Sequence, residues 1–138
     1  MREIIFRGQR VDNGEWAYGY LVEATNVITD KKATFIFGQD TTYFTHGEFA
    51  CSFEVKPETV GQFTGLTDKN GKKVFEGDVV EYAGSCGEIV FAECRGSFLS
   101  REKDMYCEWL STLPRYGTGI MEIIGNIYDN KDLLEGKE

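Results

Sequence analysis

At 138 residues, with 41% apolar and 14% aromatic side chains, the chain is long enough to bury a core without disulfides. Its formal charge of -8 opposes binding to bare nucleic acid or an anionic membrane, both of which require a basic footprint. The imbalance is concentrated late: residues 1–57 carry six Lys/Arg against eight Asp/Glu, and residues 58–138 carry nine against fifteen.

Met-Arg-Glu-Ile-Ile-Phe-Arg-Gly meets charge at once and lacks an apolar core segment, so no signal peptide is expected. No apolar run approaches membrane-spanning length. Residues 2–6 read as a first strand. Asp12-Asn13-Gly14 then supplies the Asn-Gly signal of a type I′ hairpin. Residues 16–23 alternate: Trp16, Tyr18, Tyr20 and Val22 fall on one face, Ala17, Gly19, Leu21 and Glu23 on the other. Core packing is the favoured reading of the aromatic face. The rival reading makes Trp16, Tyr18 and Tyr20 an exposed interaction surface, with Arg7 and Arg10 as its nearby cations. Arg2, Arg7 and Arg10 form the basic cluster that a nucleic acid would use.

Val27-Ile28 is a candidate short strand inside a connective stretch, and residues 33–37 are rich in β-formers. Residues 41–45 add an extended piece. Phe49, Cys51, Phe53 and Val55 alternate inward before Pro57, which cannot donate to a ladder, closes the segment.

The organising stretch is residues 59–80. An extended run with Gly61 and Gly65 leads into the turn Asp68-Lys69-Asn70-Gly71, where Asp68 caps and Asn70 or Gly71 takes positive φ. Glu76-Gly77-Asp78 then turns into a strand over 79–82. That strand and residues 88–94 make a hairpin joined by 83–87, across which Cys86 and Cys94 could face each other. Strands follow at 97–100, 105–110 and 120–128, the last with Gly125 as a bulge. Asn130 caps a short helical turn over 131–135.

Many short strands with turn signals between them argue for a mainly β fold with at most short helical turns. We expect two small β units sharing a core, residues 1–58 and residues 59–138. The second has the size and rhythm of a small SH3-like barrel.

Several stretches carry a resemblance. They are Arg2-Glu3-Ile4-Ile5-Phe6-Arg7-Gly8, Trp16-Ala17-Tyr18-Gly19-Tyr20-Leu21, the central run of residues 59–80, and Ile124-Gly125-Asn126-Ile127-Tyr128. Together they resemble the YopX family over nearly the whole chain. Val74-Phe75 stands where an Ile-Tyr-like pair would be expected, which keeps the packing role. The resemblance implies a phage or prophage protein in a bacterial cytoplasm. It maps no catalytic residue onto this chain and implies no cofactor.

The residues themselves point away from catalysis. His46 is the sole histidine, and Cys51, Cys86, Cys94 and Cys107 show no ligand spacing, so no metal site is expected and the thiols are read as free. Glu76 and Asp78 could pair as carboxylates. The plainer reading makes Asp78 a backbone acceptor and leaves Glu76 solvated. The expected function is therefore non-enzymatic: an accessory protein-interaction module whose partner is a host or phage protein. The alternative is a nucleic-acid-related role, either DNA binding or DNA mimicry. Exposed sheet edges also make a homo-oligomer an expectation.

Overall fold

The computed structural model describes residues 3–38, 44–45, 48–49, 52–82, 84–102, 105–107, 121–130 and 132. These residues are mainly β-strand, and the chain divides into two compact units, Met1–Gln62 and Phe63–Glu138. Among them no helix is long and apolar enough to cross a membrane.

The first unit contains β1 (Phe6–Gln9), β2 (Trp16–Thr25), β3 (Lys32–Gly38), β4 (Phe44–Thr45), β5 (Glu48–Phe49) and β6 (Ser52–Val55). Strand β1 pairs antiparallel with β2, β2 with β3, and β3 with β6. The ribbon then returns to its start. Arg10 bridges to Val55, the Val11 N–H donates to the Glu54 carbonyl, and the Lys56 N–H donates to the Gln9 carbonyl. The result is a small closed ring of strands. Ala17, Ile36 and Val55 fill it, with Phe6, Leu21, Phe53 and Val60 packed against them. Space inside is short: a Cβ at Gly8 would stand 2.8 Å from Val55 Cγ2. A 3-10 turn, Pro57–Thr59, is fastened to β1 where the Gln9 N–H donates to Thr59 Oγ1 at 2.9 Å.

Two local expectations are corrected here. The first strand starts at Phe6 rather than residue 2, because its register against β2 runs from Phe6↔Gly19 to Gln9↔Trp16. Its turn is not type I′, which needs positive φ at both central residues. Instead Arg10 N–H donates to Glu15 O and Gly14 N–H to Arg10 O, closing a loop over 11–14. Gly14 alone of that loop takes positive φ, at 76°, while Asn13 Oδ1 accepts the Glu15 N–H.

The β2–β3 loop repeats the design. Asn26 N–H donates to Lys31 O and Asp30 N–H to Asn26 O, with Asp30 at φ 57°. Val27-Ile28 is thus the tip of a turn and not a strand. Asn26 Oδ1 accepts the N–H groups of Ile28 and Thr29, a local closure that competes successfully with extension.

The second unit holds the end of β7 (Gly61–Thr67), then β8 (Lys73–Phe75), β9 (Asp78–Tyr82), β10 (Ser85–Ala92), β11 (Ser97–Glu102), β12 (Met105–Cys107) and β13 (Met121–Asn126). The last five form an antiparallel sheet in the order β12-β11-β10-β9-β13. Strands β7 and β8 form a hairpin whose register shifts between Phe63 and Thr67, where Gly65 sits at φ 90°. Val74, Val80, Ile89 and Met121 make the core, with Leu66, Tyr82, Phe98 and Ile123 against it.

In β13 the register passes from Ile123↔Val80 to Gly125↔Val79, so the expected bulge is present, with Ile124 as its extra residue. The β9–β10 hairpin is tighter than expected. Tyr82 already pairs with Ser85. Cys86 therefore lies near the start of β10 and Cys94 in the turn beyond its far end, so they do not face each other. Neither forms a disulfide. His46, Cys51 and most of the helical turn at 131–135 lie outside the described residues, as does the side chain of Cys107.

Candidate functional site

The favoured reading of the β2 aromatics is overturned. Tyr18 is 49% and Tyr20 48% exposed, while Ala17 on the reverse face is 6% exposed. The reason is the width of the ring. With Gly8 against Val55 and Ala17 against Ile36, its interior has little room for rings, and the strand turns its small side inward. The aromatics therefore line the outside.

Cross-strand neighbours extend that outer face. In the β2–β3 register Tyr20 pairs with Phe37, Val22 with Phe35, and Ala24 with Ala33. Paired residues share a face, so aromatic, mixed and small rows follow one another toward the hairpin tip. Phe35 and Phe37 are half-buried. Glu23 and Lys32, the charges of this ribbon, alternate onto the other face. Residues 22–32 are all exposed, and the tip places Val27 at 93% and Ile28 at 90% exposure. Sequence reasoning missed Ala24, Ala33, Phe35 and Phe37 because their membership depends on register. The tip was signalled by Asn26 and Asp30, both turn formers.

The two arginines are not the open cations expected. Arg7 is 5% exposed, and its Cζ lies 4.8 Å from the centre of the half-buried Trp16 ring. Arg10 stacks on Phe53 at 4.3 Å and grips Asp12 through Nη2 at 2.6 Å and Nε at 3.0 Å. This fork holds the Asp12 carboxyl below its usual range, chiefly through the hydrogen bond from Arg10. Arg10 thus closes one side of the ring with its charge already answered. Arg2 lies outside the described residues.

The turn residues engage backbone groups. Asp68, 3% exposed, accepts three backbone N–H groups: Asn70 and Lys72 on Oδ1, each at 2.9 Å, and Ile123 on Oδ2 at 3.1 Å. Gly71 takes φ 82° and donates to the Asp68 carbonyl, whereas Asn70 does not need positive φ. Burial pushes the Asp68 carboxyl up, but those N–H donors and the Lys72 charge outweigh it and hold it low. Asp78, 2% exposed, accepts the Phe75 N–H at 2.8 Å. Gly77 sits at φ 92° and exchanges backbone bonds with Ile89 and Ile127. Glu76 is half-buried rather than fully solvated. Among the described residues no group of three or more His, Cys, Asp or Glu could hold a metal ion.

No curated protein matches this chain. Among solved structures, that of protein EF1440 from Enterococcus faecalis is similar, with a TM-score of 0.54 and 24% identity. The match covers 97% of this chain and 99% of that one, and it is a likeness of fold. The YopX protein family matches residues 5–135, nearly the entire length, and the chain belongs to that family.

Proposed function

We propose that this YopX-family chain is a non-enzymatic protein-interaction module, a phage or prophage accessory protein working in a bacterial cytoplasm. Its docking face is the outer side of the β2–β3 ribbon. The observation that carries the reading is an uncharged strip of Tyr18, Tyr20, Val22, Phe35 and Phe37, partly open to solvent, on a chain of net charge -8. Charge is depleted and aromatic residues are enriched at the centre of protein interfaces, where a few Tyr or Trp anchors carry most of the affinity. Trp16 over Arg7 adds a stiff border to the strip.

The partner is a protein encoded by the host or the phage. The test is affinity capture from lysogenic cells, with the wild type beside a Tyr18→Lys, Tyr20→Lys double variant of equal melting temperature. A protein retained by the first and lost by the second supports the reading. Equal retention by both, or retention of nothing, refutes it. A salt-dependent shift of single-stranded DNA by the wild type would move the reading to nucleic acid.

A further inference from the structure

We propose that the occupant of this face is a second copy of the same chain, packed about a two-fold axis through the Val22–Phe35 row. The inference rests on the protein-docking reading above and names its partner.

The pattern of the face carries it. Along the outer side of the ribbon the rows are Tyr20–Phe37, then Val22–Phe35, then Ala24–Ala33. A two-fold axis through the middle row sets each large row on the small row of the other copy. Tyr20 and Phe37 fill the space above Ala24 and Ala33, and the reverse contact is identical. An isologous interface requires this self-complementarity. One row further out, Tyr18 of one copy meets the apolar tip of the other, where Val27 is 93% and Ile28 90% exposed. The same axis therefore covers both exposed apolar features of the ribbon.

Charge and area agree. A chain of net charge -8 repels its copy across most of its surface, whereas β2 and β3 present no charged side chain on this face, and the acid that borders it is Glu54, paired with Phe35 from β6. Glu23 and Lys32 stand on the other side of the ribbon, at positions paired with Thr34 and Thr25. The exposed portions of these side chains, with the tip, amount to roughly 700 Å² per copy, close to the roughly 800 Å² of a stable interface.

Sedimentation velocity at about 1 to 100 µM reads the outcome. The wild type should sediment as a dimer of the 15.6 kDa chain. Val22→Glu places two carboxylates together on the axis and should weaken association by about 100-fold or more. The variant should still unfold in one cooperative transition, since Val22 is already 37% exposed, with its melting temperature lowered only by the stabilisation that the dimer supplied. Val22→Lys should behave alike. A mixture of the two variants should regain the dimer, because the axis then joins opposite charges. Val27→Ser with Ile28→Ser should weaken the dimer about tenfold. A monomeric wild type overturns the inference, as does a dimer untouched by Val22→Glu or a mixture that stays monomeric. If the wild type is monomeric yet the tyrosine pair still governs capture from cells, the self-pairing fails and the docking face stands. If a dimer persists in all these variants and the tyrosine pair does not affect capture, both fail.

Discussion

Replacing Asp68 with Ala should be among the most damaging single changes in the second unit. The carboxylate gathers three backbone N–H groups from two places: Asn70 and Lys72 within its own turn, and Ile123 on β13. It therefore ties the β7–β8 turn to the strand that flanks β9. A hydrogen bond to a charged acceptor contributes about 1.5–3 kcal/mol, and a buried donor left alone costs about 1–3 kcal/mol. These figures overlap rather than add, and Asn70 and Lys72 are exposed enough to recruit water. A loss of about 3–5 kcal/mol is expected, a fall in melting temperature of roughly 10–20 °C for a chain this size.

Asp68→Asn separates charge from shape. Its carbonyl can serve two of the donors, but its amide then points an N–H at that of Ile123, so about 2 kcal/mol should be lost. The two proteins should also differ with acid. The folded Asp68 carboxyl lies below its ordinary value of 3.8. Its stabilisation is thus complete above that value and is lost as pH falls through the lower, folded one. Urea midpoints measured from pH 7 to 2 should converge at the acid end. An unfolding free energy for Asp68→Ala within about 0.5 kcal/mol of wild type at pH 7, or parallel curves for Asp68→Asn, would refute the reasoning.

Gly8→Ala should cost about 1–3 kcal/mol by thermal denaturation, since the new methyl meets Val55. Val55→Ala in the same chain should recover part of that loss, a coupling readable in a double-mutant cycle. Ser100 is fully buried and its Oγ has no hydrogen-bond partner among the described residues. Ser100→Ala should therefore leave stability unchanged or raise it by about 1 kcal/mol, and a clear loss would show that the hydroxyl is satisfied. The same substitution should soften Gly87→Ala, whose Cβ would collide with that oxygen. Asp78→Ala removes the acceptor of the buried Phe75 N–H and should lower the unfolding free energy measured by urea denaturation by about 2–4 kcal/mol.

What could be read before folding was whatever chemistry a few neighbouring residues complete among themselves. Asp68-Lys69-Asn70-Gly71 is such a case: the short acid and the glycine define the turn without outside help. The bulge near Gly125 was similarly legible. Alternation in β2 was also plain, but its direction was not. Period-two patterning says which residues travel together, not which set is enclosed. Ala17 won the interior from Tyr18 because Gly8, nine positions earlier and on another strand, sets the spacing. Arg7 illustrates the converse. Nothing near it in sequence announces that Trp16 will lie over it. The exposed aromatic strip spans two strands, so Phe35 and Phe37 joined it only when the β2–β3 register was fixed.

The seam at Arg10 and Val55 has a bearing on how the chain emerges during synthesis. Hairpins β1–β2 and β2–β3 are complete once residue 38 is available, yet the ring cannot shut until the ribosome has released β6. Until then Gly8 has no valine to press upon, and the margins of β1 and β3 remain open to strangers. Long-range closure of this kind is slow relative to local pairing. The interval between those two moments is when the nascent first unit is most vulnerable to aggregation, and a premature stop ahead of Ser52 would make that interval permanent.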